Sequence, residues 1–280
     1  MIGWWRGWMV GLAVGIGCGM AEAAPSGSDV WQDPVVGMAM VRIEADCFAM
    51  GSREPALGAG PVHRVCLDSY WMGQHEVTNR QYGACVAAGA CQPPERHDSG
   101  INDHFRTGNE DEYDKLGEAL DGPDHPVVGV SLVNGWEFVR WLSARSGQRF
   151  RLPTEAEWEY ACRAKAGDEP LGNETQWEAR GWSQHNSGGR PHAVGSKAPN
   201  ALGLYDMQGN VWEWVQDHFD VTAYGRHAER NPLFVKEDLF HVSRGGSWSS
   251  PGIYLHCAYR GVSEERDRDD NLGLRVVREE

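Results

Sequence analysis

Basic residues are scarce in this chain of 280 residues, which has 26 Lys and Arg against 40 Asp and Glu and a formal net charge of −14. This balance would repel a polyanion, so DNA and RNA are not expected partners. The sequence also lacks a C-x-x-C pair, so it gives no support for a zinc knuckle or a thioredoxin-type redox site. No apolar run beyond the N-terminal region is long enough to span a membrane.

The N-terminal region has the pattern of an export signal. Arg6 precedes an apolar run that ends near Cys18, and Ala-Glu-Ala at positions 21–23 fits an A-x-A cleavage site. The predicted organisation is a signal peptide over residues 1–23, a short lead over 24–37 and one domain over 38–280. We therefore expect a periplasmic or secreted protein. The alternatives are an uncleaved anchor and acylation at Cys18, as in a lipoprotein. Gly15 argues against acylation, because such signals normally carry Leu at that position.

Removal of the signal leaves an even number of cysteines, which in an exported protein predicts disulfides. They are Cys47, Cys66, Cys85, Cys91, Cys162 and Cys257. Cys47 and Cys66 lie on two strand-like segments and can face each other across the pair. Cys91 follows the end of a predicted helix and can fold back toward Cys85. Beyond proximity, the pairing of these four residues is left open.

Strands are predicted where apolar and polar residues alternate. This pattern occurs over Met40–Met50 and His63–Asp68. After Gly167 regular patterning fades, apart from strand-like stretches at Tyr254–Arg260 and Asn271–Arg278. The second half of the chain is therefore expected to consist mainly of loops.

Helices are predicted where a capping residue precedes an apolar face. Thr78 and Thr154 each begin a capping box, and Ser131 is a favourable N-cap residue. The helix after Thr154 would place Trp158 and its neighbours one turn away on a single buried face. Residues 92–125 are polar, acidic and irregular, which is typical of a long loop.

Seven blocks follow one another along the chain: CFAMGS, HRVCLDSYWMGQHEVTNRQY, HPVVGVS, RLPTEAEWEYACR, NALGLYDMQGNVWEW, RGGSW and NLGLRVVR. Over about residues 38–278, this series resembles the formylglycine-generating enzyme family, also called the sulfatase-modifying-factor family. The resemblance implies an α+β fold: a single irregular domain related to C-type lectins, with little regular secondary structure. Members of this family differ in chemistry, so membership leaves open whether the chain is an enzyme.

Copper-dependent members carry two cysteines after the GGS-aromatic motif, because Cu(I) prefers thiolate ligands. Here Ser250 stands at the first position, and the second has no counterpart because the stretch is shorter. Copper is therefore not expected. The resemblance instead matches Cys257 to a family disulfide position, with Cys162 as its partner. The candidate pocket consists of Ser247, Trp248, Ser250, Tyr254, His256 and Arg260.

The resemblance also implies a structural calcium ion at the motif over residues 204–214. Its ligands would be the side chains of Asp206 and Glu213 and the backbone carbonyls of Gly209 and Val211. Mixed carboxylate and carbonyl oxygens suit Ca²⁺, which accepts flexible oxygen coordination. The sequence gives no support for an iron site, since its histidines form no H-x-x-x-H pair.

Three functions follow from these observations. The first is a non-copper family member that binds a peptide or small ligand, as an accessory factor or a partner of another protein. The second is a periplasmic oxidoreductase of the pyoverdine-maturation type that acts without a copper–thiolate site. The third, which the missing cysteines disfavour, is an oxidase that generates formylglycine from a protein cysteine.

Overall fold

The computed structural model describes residues 29–95, 116–165 and 178–280, together with Met1 and Gly3. The predicted signal peptide and the alternative of acylation at Cys18 lie outside the described residues, as does most of the predicted loop over 92–125. Within the described ranges, no helix is long and apolar enough to cross a membrane.

Short strands and few helices make up the described chain. The strands are β1 (Val30–Gln32), β2 (Ala39–Ile43), β3 (Asp46–Met50), β4 (His63–Leu67), β5 (Tyr70–Gly73), β6 (Phe150–Arg151), β7 (Trp212–His218), β8 (Phe240–Arg244), β9 (Gly261–Glu264), β10 (Leu272–Leu274) and β11 (Val277–Glu279). The helices are α1 (Asn79–Ala87), α2 (Glu118–Asp121), α3 (Leu132–Ser146) and α4 (Glu155–Arg163), with 3-10 turns at Pro55–Leu57, Ala223–Gly225 and Gly252–Leu255.

The strands form three sheets. The largest has the order β1-β2-β5-β11-β6, and all its neighbours are antiparallel. The second has the order β10-β7-β8-β9, in which β10 runs parallel to β7. β3 and β4 form a separate antiparallel pair. β11 lies between β5 and β6 in the first sheet. It therefore connects β5 to β6, the short strand that precedes α4.

The helix starts agree with the sequence. Thr78, Ser131 and Thr154 are N-caps, and each completes a capping box with the residue three positions on. These signals are local, so they remain valid wherever the helix packs. Trp158 on α4 is fully buried, as predicted for that face.

Two of the predicted strands are divided, and one was wrong. Met40–Met50 forms β2 and β3, with a break at Glu44 and Ala45. Asn271–Arg278 forms β10 and β11, because the chain between them turns the Arg275 side chain inward toward a buried carboxylate. Tyr254–Arg260 is not a strand, since its first residues belong to the 3-10 turn Gly252–Leu255 and the next strand begins only at Gly261.

The sequence patterns missed β7 and β8, which pair at the centre of the second sheet. Glu213 and Asp217 are fully buried on β7, and these charged residues hide the apolar alternation by which a strand is recognised. Buried Arg244 has the same effect at the end of β8.

Three disulfides connect the six cysteines of the described chain. Cys47 pairs with Cys66, Cys85 with Cys91, and Cys162 with Cys257. The prediction of a disulfide-bonded protein is thus confirmed. Cys47 and Cys66 lie opposite each other on β3 and β4, whereas Cys162–Cys257 joins α4 to the segment before β9.

Candidate functional site

The GGSW turn after β8 positions two serine hydroxyls. Gly246 has φ +72°, and a Cβ there would lie 2.8 Å from the Leu255 side chain and 3.0 Å from the Tyr254 carbonyl oxygen. Only glycine fits this turn without strain. Ser247 is fully buried, and its Oγ lies 2.9 Å from Oγ of Ser250, which also accepts the Ser247 N–H at 3.0 Å. The two hydroxyls are therefore hydrogen-bonded to each other.

Trp248 and His256 make interior contacts. The Trp248 indole donates to the Asp270 carbonyl at 3.4 Å and packs with Val128 and Val211. Nδ1 of His256 accepts the Ala258 N–H at 3.1 Å, and the side chain is buried. Both of these predicted pocket residues are therefore engaged in the interior of the domain.

Arg260 is directed toward a buried acid. Its Nε and Nη2 donate to the two carboxylate oxygens of Glu155 at 2.6 and 2.9 Å, and Nη1 donates to the Asp220 carbonyl at 2.9 Å. Burial alone would raise the pKa of Glu155, but the guanidinium groups of Arg260 and Arg244 hold it below its ordinary value. The arginine head thus belongs to a buried ionic network.

The buried ionic network also contains Arg244 and Glu159, which the sequence analysis did not predict. Arg244, directly before the GGSW turn, donates to Glu159 at 2.8 Å, to the Tyr224 hydroxyl at 2.9 Å and to the Cys257 carbonyl at 2.6 Å. Both Arg244 and Glu159 are fully buried. The repeated Glu spacing in the TEAEWEY block is the signal that could have revealed it.

A small cavity of about 290 Å³ opens beside this network. Of the predicted pocket residues, Tyr254 and Arg260 line it, together with Trp212 and Tyr259. The rings of Tyr254 and Tyr259 lie 4.5 Å apart between centroids, and Trp212 is 6.1 Å from each. Burial and the neighbouring Tyr254 raise the pKa of Tyr259 to about 12. The cavity therefore offers a cluster of aromatic faces.

Polar groups complete the lining of this cavity: Ser243, Ser263, Asp269 and Asn271. Trp212 and Tyr259 were not among the predicted pocket residues, because a large aromatic side chain is usually part of the core. Larger cavities lie elsewhere, one of about 670 Å³ beside His125 and His192 and one of about 700 Å³ beside Tyr70. Neither is lined by any of the predicted pocket residues.

The residues predicted to bind calcium lie in the buried turn before β7 and, for Glu213, on β7 itself. Oδ2 of Asp206 accepts the Gly195 N–H at 2.7 Å, while its Oδ1 is buried with no hydrogen-bond partner. Burial raises the pKa of Asp206 to about 6. Both oxygens of Glu213 accept from Arg275, and one also accepts from the Trp158 indole at 2.7 Å. Asp206 thus fits a cation ligand, whereas Glu213 would share its carboxylate with an arginine.

A further carboxylate beside this turn was not predicted. Glu76 is buried and accepts the Val211 N–H at 3.1 Å and the Asn210 side-chain amide at 2.8 Å. Burial and the nearby Asp206 raise its pKa well above the ordinary value for a glutamate. An unpartnered buried oxygen on Asp206 next to a second acid is the feature that favours a cation at this turn.

The chain matches the profile of the family described as "Sulfatase-modifying factor enzyme 1-like domain" over residues 28–280, and it belongs to this family. It is 31% identical to the formylglycine-generating enzyme of Streptomyces coelicolor over 315 residues, covering 92% of this chain and 96% of that protein. The predicted fold class, a single α+β domain of this family with little regular secondary structure, is thereby confirmed.

The chain is also similar to proteins of other lengths and with other names. The chain is 33% identical over 246 residues to the serine/threonine-protein kinase pkn1 of Chlamydia pneumoniae, of which it spans only 38%. Among solved structures it is similar to PvdO from Pseudomonas aeruginosa, with a TM-score of 0.75 and 27% identity, covering 90% of this chain and 98% of PvdO. Treponema denticola variable protein 1 shares the fold at a TM-score of 0.70 and 23% identity.

Proposed function

We propose that this chain is an exported member of its family that binds a peptide or small ligand beside Tyr254 and Arg260, as an accessory or partner protein, and that it does not perform copper-dependent cysteine oxidation. The observation that carries the proposal is the chemistry of Ser250. A buried hydroxyl, bonded to Ser247 at 2.9 Å, stands where the resemblance places a copper thiolate. Hydroxyls are poor ligands for Cu(I), which prefers soft sulfur.

The nearby cysteine offers no replacement. Cys257 is 1% exposed and is bonded to Cys162. A disulfide sulfur is neither a thiolate nor a nucleophile until it is reduced. This supports the assignment of Cys257 to the framework of the domain.

The cavity favours a small group with one flat or apolar face. Tyr254, Tyr259 and Trp212 can contact such a face by stacking, while Ser243 and Asn271 supply hydrogen-bonding groups at the edge. A volume of about 290 Å³ is at the lower end of the usual range for ligand pockets. We therefore propose that the cavity takes a single side chain of a peptide or a ligand of similar size.

Export and calcium belong to the same proposal. The three disulfides support folding in an oxidising compartment, such as the periplasm or the extracellular space.

Structural calcium at Asp206, Gly209, Val211 and Glu213 is supported by the unpartnered Oδ1 of Asp206. The ion would neutralise the negative charge of the buried carboxylates and stabilise the conformation of this turn.

An oxidoreductase of the pyoverdine-maturation type is the second candidate. The similarity to PvdO over 98% of that chain favours it. Since all six cysteines of the described chain are paired, such an activity would have to use groups other than free thiols.

A two-part experiment separates these functions. Oxygen consumption is measured with Cu(I) and a cysteine-bearing sulfatase peptide, and free thiols are counted in the denatured protein. The binding proposal expects no turnover and no free thiol. Turnover abolished by Ser250→Ala or by Cys257→Ala would overturn it, and one or two free thiols would revive thiol redox chemistry.

Binding itself is tested by screening that peptide and a set of small aromatic fragments by ligand-observed NMR. Trp212→Leu and Tyr254→Ala are expected to remove the signals of bound fragments. Trp141→Leu is the matched control, because Trp141 is also half-buried but packs beside Phe138 and does not line the cavity. Equal loss in all three variants, or no binding by the wild type, would contradict the assignment of the cavity.

A further inference from the structure

Two buried acids and a histidine converge beside the ionic network of Arg244 and Arg260. One ligand atom each from Glu155, Asp217 and His227 lies within 4.8 Å of the others. Glu155 is the first residue of α4, Asp217 lies on β7, and His227 follows the 3-10 turn Ala223–Gly225. Both acids are fully buried. Three separate elements thus bring their polar groups to one point.

The hydrogen bonds around His227 determine which ring nitrogen faces this point. Nδ1 of His63 lies 3.0 Å from the Pro61 carbonyl oxygen, which can only accept, so this nitrogen carries the hydrogen. Nε2 of a neutral His63 then accepts from Nδ1 of His227, 3.0 Å away. Nε2 of His227 keeps its lone pair, and it is buried with no hydrogen-bond partner.

The carboxylates also have lone pairs to give. The Asp217 oxygens accept the backbone N–H groups of Glu155 and Phe234, at 2.7 and 2.9 Å. Oε2 of Glu155 accepts from Arg260 at 2.9 Å. These hydrogen bonds fix the orientation of the two acids. Each carboxylate oxygen offers two acceptor positions, so both oxygens of Asp217 and Oε2 of Glu155 each keep one position for a metal ion.

We propose that Glu155, Asp217 and His227 form a site for a divalent first-row transition ion, of which Zn²⁺ is the reference. One imidazole with two carboxylates is a ligand set that Zn²⁺ accepts, with water in the remaining position. Metal-bound histidines usually donate their other N–H to a fixed partner, the role that His63 has here. Zinc ligands lie about 2.0–2.2 Å from the ion, so the three groups would close by roughly an ångström on binding.

This site differs from the calcium turn in both position and ligand type. Its nitrogen ligand favours a transition ion over Ca²⁺, which prefers oxygen. Arg260 and Arg244 contact Glu155 and lower its affinity for a cation, whereas Glu159 offsets one of these charges. We therefore expect a dissociation constant for Zn²⁺ in the micromolar range.

The test uses untagged full-length protein, freed of metal with EDTA and then kept in millimolar Ca²⁺. Zn²⁺ binding is measured by competition with a chromophoric chelator, and Co²⁺ supplies a visible spectrum as a second readout. The wild type is expected to bind one equivalent of either ion at this site. His227→Ala and Asp217→Asn are each expected to weaken binding at least tenfold.

The matched control is His185→Gln, which removes an exposed histidine outside the cluster. Asp217→Asn keeps the size of the side chain, so it remains informative if His227→Ala is unstable, and circular dichroism verifies the fold of each variant. The proposal is overturned if the wild type binds neither ion, if His227→Ala or Asp217→Asn binds as tightly as the wild type, or if His185→Gln causes the same loss.

Discussion

Arg275 holds Glu213 through both carboxylate oxygens at the junction of the two larger sheets. Nη2 of the arginine lies 2.7 Å from Oε1, and Nε lies 3.0 Å from each oxygen. Nη1 of Arg275 also donates to the Gly73 carbonyl on β5 at 2.8 Å. Both side chains are fully buried. This pair connects β7 of the second sheet to β5 of the first.

The pair leads to a stability prediction. Arg275→Met would leave the Glu213 carboxylate buried and uncompensated, and such a change costs about 3–5 kcal/mol. Urea unfolding in EDTA is expected to show a loss of this size. Arg80→Met is the control, since the Arg80–Asp124 ion pair is exposed and pairs of that kind contribute about 0–1 kcal/mol. Equal losses in the two variants would contradict the role of Arg275.

The Cys162–Cys257 disulfide closes a separation of 95 residues. In the chain-entropy model such a loop contributes about 4–5 kcal/mol, so Cys162→Ala/Cys257→Ala is expected to lose most of that free energy of unfolding. The Cys85–Cys91 bridge spans 6 residues and should contribute about 2 kcal/mol in the same model. A larger loss from the short bridge would show that strain or packing dominates.

The sequence predicts the local parts of this fold better than the central ones. Capping boxes at Thr78 and Thr154 identify helices because their hydrogen bonds are made within four residues. β7 escapes prediction because Glu213 and Asp217 are buried charges, whose partners lie far along the chain. A pattern based on apolar residues cannot anticipate Arg275 or the helix start that compensates them.

The candidate site was likewise predicted only in part from the sequence. The resemblance draws attention to Tyr254 and Arg260, which line the small cavity. It does not indicate Tyr259 or Trp212, since their position depends on how β7 packs against the turn that follows β8. The cluster of Glu155, Asp217 and His227 is likewise invisible in the sequence, where its members are separated by many residues and fit no metal motif.

Calcium is expected to stabilise the protein through the turn around Asp206. Addition of Ca²⁺ to EDTA-treated protein should raise the Tm by several degrees, because ligand binding to the folded state adds free energy of unfolding. Asp206→Ala should abolish most of the increase. Asp238→Ala, which removes a half-buried loop acid shortly before β8, should leave the increase unchanged. An identical increase in Asp206→Ala would exclude this turn as the site.

A single restored cysteine should not create a copper site. Ser250→Cys supplies one thiolate at most, and the segment that follows lacks a second one, since Cys257 is engaged by Cys162. We expect Cu(I) competition with a chromophoric chelator to show no more than weak binding, and no oxygen consumption with a cysteinyl peptide. Tight binding of one equivalent would show that another residue completes the site.

His75 should make the protein sensitive to acid. Burial, and then the nearby charge of Arg275, lower the pKa of His75 to about 4, against about 6.5 in an unfolded chain. As the pH falls through this window the unfolded chain binds the proton first, so the free energy of unfolding decreases from about pH 6.5 to pH 4. His75→Gln removes this contribution. Urea unfolding of the variant should therefore lose less stability than the wild type between pH 7.5 and pH 4.5, whereas the exposed control His185→Gln should follow the wild type. If His75→Gln and the wild type lose equal stability over this interval, His75 does not carry the effect.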